Sequence, residues 1–242
     1  LDMCGWDIYG KMKKKPLCHL WELNTALAPV TDFTIGIDTP ELMIEKMKEK
    51  PWPVYKIKVG FENDVELVAE LRKHTDAKFR VDANAAWSVE EALHKIPRLQ
   101  ELGVELVEQP LAKDDWDGMK ILFEKSPLPV FADESCVHES DVEKCHGFFH
   151  GINIKLTKCS GITPARRMVK KARELNMKLM LGCMNENAIG TAAIAHLAPL
   201  FDYVDMDGTL LQTELIAKGV AFENGKYIYN DLPGLGVSEP NW

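Results

Sequence analysis

Apolar residues occur along the chain in two alternating textures. Short runs of β-branched and aliphatic residues lie at residues 33–37, 54–59, 79–81, 106–108, 130–132, 152–154, 179–181 and 203–204, and they predict strands. Between them, longer stretches carry apolar positions every three or four residues: 40–50, 64–74, 89–102, 116–125, 140–146, 164–175 and 188–197. This texture predicts helices, each with one face for a core. Two open on capping signals, Thr39 before Pro40 and the capping-box form Ser88-Val89-Glu90-Glu91. A further helix is in progress at the first residue, with Met3 and Trp6 on one face and an expected end at Gly10.

The interval between strand ends is nearly constant. Lys58, Asp82, Glu108, Asp133, Lys155, Gly182 and Asp205 are spaced 24, 26, 25, 22, 27 and 23 residues apart. A βα unit repeated about eight times closes into an α/β fold of the (β/α)₈ TIM-barrel type. An open doubly wound sheet would need a glycine-rich phosphate loop or a reversal of strand order, and the sequence displays neither. The barrel is expected over residues 1–219, with residues 220–242 as a C-terminal tail that contains an Asn224-Gly225 hairpin turn.

Composition narrows the function. The chain has 242 residues, 46% of them hydrophobic, and a net charge of −8. It lacks the basic surplus that nucleic-acid binding requires and any apolar run of membrane-span length, so neither a nucleic acid nor a membrane is expected as a partner. The six cysteines form no C-x-x-C pair, which fits a reducing, cytoplasmic setting; Cys136, Cys159 and Cys183 read as small buried hydrophobes. None of the seven histidines falls in a zinc-ligand pattern, and Ser135 and Ser160 have no histidine base in their neighbourhood. The run 11–15 reads as a solvated basic surface.

In a barrel, chemistry gathers at the C-terminal ends of the strands. Asp82, Glu108 and Asp133 end three consecutive strands, and three converging carboxylates supply hard oxygen ligands suited to Mg²⁺. Taken singly, each would read as a cap or a surface ion pair. Lys56 and Lys58 stand at i and i+2 on one strand and share a face. A lysine crowded by a second cation gives up its proton more readily and can act as a base. Lys155 ends the sixth strand, which faces the second across a closed eight-stranded barrel, so Lys58 and Lys155 would approach a substrate from opposite sides. Asp205 and Asp207 again share a direction; two carboxylates there suit an ammonium group, a metal ion, or capping of the following turn.

Together, Lys56-Ile57-Lys58, Val81-Asp82-Ala83-Asn84, Glu108-Gln109-Pro110, Ala132-Asp133-Glu134-Ser135 and Asn153-Ile154-Lys155-Leu156 resemble the enolase superfamily in its muconate lactonizing subgroup. The resemblance spans nearly the whole chain. It implies Asp82, Glu108 and Asp133 as Mg²⁺ ligands, Lys58 and Lys155 as the acid/base pair, and Lys56 as the residue that tunes Lys58. Asp205-Met206-Asp207 resembles the signature of dipeptide epimerases, including those acting on L-Ala-D/L-Glu, and implies that the two aspartates hold the dipeptide's α-ammonium. The implied activity is 1,1-proton transfer at the C-terminal residue of an L-Xaa-Xaa dipeptide through an enediolate, as in the recycling of murein peptides. Rival expectations are o-succinylbenzoate synthase, N-acylamino acid racemase, cycloisomerase, or a non-catalytic binding protein. The family also implies an N-terminal capping domain as a partner of the barrel and of the 220–242 tail, since this sequence starts at barrel elements, and assembly as a homo-oligomer. The stretch 183–187 resembles the family's acidic loop after the seventh strand, and Glu186 there would position Lys155.

Overall fold

A computed structural model describes residues 1–240. Eight strands form one sheet in chain order: β1 (Phe33–Ile35), β2 (Val54–Lys58), β3 (Lys78–Asp82), β4 (Val104–Glu108), β5 (Val130–Ala132), β6 (Gly151–Lys155), β7 (Lys178–Gly182) and β8 (Tyr203–Val204). β1 through β6 pair in parallel, each with the next, and so do β7 and β8. The helices are α1 (Asp2–Lys13), α2 (Leu17–Leu20), α3 (Pro40–Glu49), α4 (Asp64–Arg72), α5 (Val89–Glu101), α6 (Trp116–Lys125), α7 (Asp141–Cys145), α8 (Leu156–Cys159), α9 (Ile162–Glu174) and α10 (Ala188–Leu197). A helix follows every strand through β7. Sequential strand order with helical crossovers is the (β/α)₈ topology that the spacing predicts. Every expected strand and helix is present, with ends moved by no more than a few residues.

The chain divides into two compact units. One comprises Asp32–Cys136 and Ser140–Asn153, and so holds β1 to β5, most of β6, and α3 to α7. Its strands bury apolar residues on both faces: Val54, Tyr55 and Ile57 on β2, Phe79 and Val81 on β3, Leu106 and Val107 on β4. α5 begins at the expected capping box, where Glu91 N–H donates to Ser88 Oγ at 3.2 Å and Ser88 N–H donates to Glu91 Oε2 at 2.8 Å. Ala92, Ile96 and Leu99 form the buried face of α5, at the three- and four-residue spacing the pattern requires.

The other unit comprises Leu1–Thr31, Val137–Glu139 and the chain from Ile154 onward. Here α1 corrects an expectation. It runs three residues beyond Gly10 and stops at Lys14, whose φ of 53° is left-handed and whose N–H returns to Lys11 O. Gly10 serves packing instead: a Cβ there would lie 2.6 Å from Gly234 Cα. Ahead of β1, Thr31 bridges in parallel to Val204, and Met206 N–H donates to Thr31 Oγ1 at 2.8 Å. Asn224 (φ 49°) and Gly225 (φ 78°) make the expected hairpin turn between paired strands Phe222–Glu223 and Lys226–Tyr227. The tail returns to this unit's helices: Tyr229 Oη donates to Ala195 O at 2.7 Å and Leu235 N–H to Asp7 Oδ1 at 2.9 Å. The last two positions of the 220–242 tail lie outside the described residues. Among the described residues no helix is long and apolar enough to cross a membrane.

Candidate functional site

In the first unit the ends of β2 to β4 bring Lys56, Lys58, Asp82 and Glu108 together, and Asp133 follows the neighbouring strand β5. Parallel register sets Lys58 beside Asp82 and Asp82 beside Glu108. All three carboxylates are buried. Lys56 lies between two of them, with Nζ 3.0 Å from Asp82 Oδ2 and 2.9 Å from Glu108 Oε2. Lys58 Nζ donates to the same Asp82 oxygen at 2.7 Å and to Asn84 Oδ1 at 2.9 Å. Lys56 is buried, whereas the Lys58 side chain keeps 26% exposure. Lys58 therefore reaches solvent-accessible space while its partner is fixed behind it. Burial alone would raise the pKa of Asp82, but the charges of Lys56 and Lys58 and their hydrogen bonds outweigh it and hold the carboxyl below its ordinary value.

Three buried carboxylates from adjacent strand ends are a hard-oxygen donor set, and two of them already face positive charge. Carboxylate oxygen is the ligand type that Mg²⁺ takes, so the chemistry of this donor set fits a divalent cation, although among the described residues the acids whose ligand atoms already converge within 4.8 Å are Asp205 and Asp207 with Cys183. Asn153 Nδ2 donates to Glu108 Oε1 at 2.7 Å and fixes that oxygen, while Oε2 faces Lys56. Sequence pattern alone assigns Asn153 no role. Its position two residues before Lys155, on the same face of β6, was the available signal.

In the second unit Lys155 ends β6 and is buried, and Asp205 and Asp207 follow β8, also buried. Asp207 precedes a short 3₁₀ turn, yet its side chain makes no capping hydrogen bond, so the capping alternative is set aside. Cys183 Sγ lies 3.6 Å from Asp207 Oδ1, and one ligand atom each of Cys183, Asp205 and Asp207 fall within 4.8 Å of one another. Gly208 lets the loop after β7 come close, since a Cβ there would meet Glu186 O at 2.8 Å. Burial, and then the charges of Asp205, Asp207 and Glu186, push the Cys183 thiol well up. Burial also raises Glu186, against a lowering pull from Lys155 and with a further push from Asp205. Acids gather here, with Lys155 as a positive neighbour of Glu186. Asn187 at the edge of the same loop caps α10 by accepting from the N–H groups of Ile189 and Gly190 at 3.0 and 3.3 Å.

Residues 40–239 match the family model described as enolase C-terminal domain-like. The chain is 55% identical over 239 residues to an L-Ala-D/L-amino acid epimerase of a Maribacter species, covering 98% of this chain and 71% of that protein. It is 51% identical over 238 residues to an L-Ala-D/L-amino acid epimerase of Flavobacterium johnsoniae, with the same coverage. Among solved structures, the dipeptide epimerase from Enterococcus faecalis in complex with Mg and L-Leu-L-Tyr superposes with a TM-score of 0.92 at 34% identity, covering 98% of this chain and 71% of that one. The fold is therefore the enolase C-terminal type of (β/α)₈ TIM barrel. With this topology, these strand-end residues and these relatives, the chain belongs to the enolase C-terminal domain-like family and is an isomerase of the racemase and epimerase class.

Proposed function

We propose that the chain is a Mg²⁺-dependent dipeptide epimerase that inverts the α-carbon of the C-terminal residue of L-Ala-Xaa dipeptides by a two-base proton transfer. The observation that carries the dipeptide reading is the buried pair Asp205 and Asp207, whose neighbours Cys183 and Glu186 are both pushed toward their protonated forms. Such a pocket favours a cation, and a free dipeptide brings an α-ammonium where an N-acylated amino acid brings none. The names of the relatives, which specify L-alanine first and a variable second residue, point to the same class.

Asp82, Glu108 and Asp133 would hold the metal. When bound, Mg²⁺ supplies the positive charge that stabilises the carboxylate of the substrate as its α-proton leaves. Lys58 and Lys155 act as the two bases: one removes the proton, and the other returns a proton to the opposite face. Lys58 is suited to this by its exposed end and by the Asp82 and Asn84 oxygens that aim its Nζ. Lys56 remains a charged neighbour held behind it on Asp82 and Glu108. Asp205 and Asp207 bind and orient the α-ammonium, which fixes which carbon is presented to the lysines.

The test is proton NMR of L-Ala-L-Glu and a panel of L-Ala dipeptides in D₂O with Mg²⁺. Loss of the α-proton signal at the C-terminal residue, stopped by EDTA, is the expected result. Exchange confined to N-acylamino acids would favour the racemase reading over the dipeptide one, and no exchange with any substrate would contradict both.

A further inference from the structure

Gln109 follows Glu108 at the end of β4 and is fully buried. Its backbone is left-handed, with φ 34°, a conformation that a residue with a side chain keeps only where its surroundings impose it. Those surroundings are the loops that carry the other two carboxylates of the cluster. Gln109 Oε1 accepts from the N–H groups of Asp133 and Ser135, at 3.0 and 3.1 Å. Its Nε2 donates to Leu111 O at 2.9 Å and to Ser135 Oγ at 3.0 Å, and Ser135 Oγ in turn donates to Lys113 O at 2.8 Å. The side-chain amide therefore fastens the loop after β5 to the loop after β4.

The main chain of the same residue holds the remaining loop. Gln109 O accepts from Ala85 N–H at 2.7 Å, and Gln109 N–H donates to Phe131 O on β5 at 2.8 Å. Asn84 and Ala85 are themselves left-handed, with φ of 43° and 64°, so the turn that follows Asp82 is shaped around that bond. One residue, adjacent in sequence to Glu108, thus ties together the segments that present Asp82, Glu108 and Asp133. A neutral amide suits this position. It offers two lone pairs to two amide donors and two donors to two acceptors, and it adds no fourth negative charge to the cluster.

We propose that Gln109 is a positioning residue whose side-chain amide sets the three carboxylates for metal binding, an inference that rests on the reading of Asp82, Glu108 and Asp133 as ligands. Removing the amide strands the buried N–H groups of Asp133 and Ser135, and the β5 loop must shift to satisfy them. Partners that orient metal ligands typically govern about 10- to 100-fold in affinity.

The experiment is Mg²⁺ titration calorimetry, free of substrate, on the wild type and on Gln109→Met, Gln109→Glu and Asp133→Asn. Gln109→Met should bind Mg²⁺ about 10- to 100-fold more weakly, with turnover recovering as Mg²⁺ is raised. Gln109→Glu, held neutral by burial against Leu111 O, keeps the double acceptor and one donor and should stay closer to the wild type than Asp133→Asn does, which keeps the test open if the methionine variant does not fold. Unchanged affinity in a folded Gln109→Met beside a weakened Asp133→Asn overturns the positioning role alone, as does a loss in Gln109→Glu equal to that of Asp133→Asn. Unchanged affinity in Asp133→Asn, or a wild type that binds no Mg²⁺, overturns the ligand assignment and this inference with it.

Discussion

The carboxylates at the ends of β3 and β4 and those that follow β8 sit in different electrostatic surroundings. Asp82 and Glu108 share Lys56, and Asp82 also accepts Lys58, so burial of the acids is offset by built-in positive charge. Asp82 is accordingly held below the usual carboxylate range. Around Asp205 and Asp207 the shifts run upward: burial and then the neighbouring acids raise Cys183, and burial raises Glu186 against backbone hydrogen bonds and Lys155. Buried charge is tolerated only when compensated. The first unit's acids are offset by Lys56 and Lys58, while the second unit gathers Cys183, Glu186, Asp205 and Asp207 with Lys155 as a positive neighbour, the setting in which we propose that a substrate ammonium binds.

The largest effect is expected on removing a base from each unit. Lys58→Ala and Lys155→Ala should each lower epimerisation by about 10²- to 10⁴-fold, the range for a lost acid/base group, measured by polarimetry or a coupled assay. Substantial epimerisation in either variant would break the two-base scheme. A smaller effect isolates the role of the β8 aspartates. Asp205→Asn should lower kcat/KM for dipeptides by about 10- to 100-fold, the worth of a hydrogen bond to a charged group. Substrates without an ammonium should be affected much less, and equal losses for both classes would contradict a transient cation at this pocket.

The smallest expected effect is on stability and belongs to the second unit alone. His196 on α10 is buried, with Nδ1 accepting the Cys18 N–H at 3.3 Å, and burial pushes its pKa down from 6.5 to about 4. Because the folded value is depressed, the unfolded chain takes up the proton first as the pH falls. The neutral imidazole's contribution is complete above about pH 6.5 and is lost progressively down to about pH 4. The slope should approach about 1.4 kcal/mol per pH unit within that window. Urea melts at pH 7 and pH 5 should show this loss in the wild type and a flatter response in His196→Gln; identical slopes would show that the histidine does not set this pH dependence.

The strands and the strand-end acids and lysines were legible because the same feature marks both. A short apolar run recurring at intervals of 22 to 27 positions, and ending in an ionisable residue at each strand from the second to the eighth but the one that ends at Gly182, is the pattern that a ring of parallel strands with chemistry at one end leaves in a sequence. What stayed hidden lay in contacts between residues distant in sequence. Glu108-Gln109-Pro110 stands out as a motif but gives Gln109 no role, since its partners at 133 and 135 come from the loop after the next strand. Lys95 shares the apolar face of its helix with Ala92, Ile96 and Leu99, and only the fold supplies the acceptors that let it be buried there, Asp64 Oδ2 at 2.9 Å and Phe61 O at 2.6 Å. Gly10 looked like a helix end because glycine ends helices, but here it permits close approach to Gly234. Both uses of glycine rest on the missing side chain, and only the fold decides between them.

Two-base chemistry is tested at its root by α-proton exchange in D₂O with each epimer of one L-Ala dipeptide, run on Lys58→Ala and Lys155→Ala in parallel. Complementary patterns are expected: each variant exchanges the proton of one epimer only, the one whose α-hydrogen faces the lysine that remains. If both variants exchange the same epimer, or either still exchanges both, the assignment of Lys58 and Lys155 as opposed bases is contradicted.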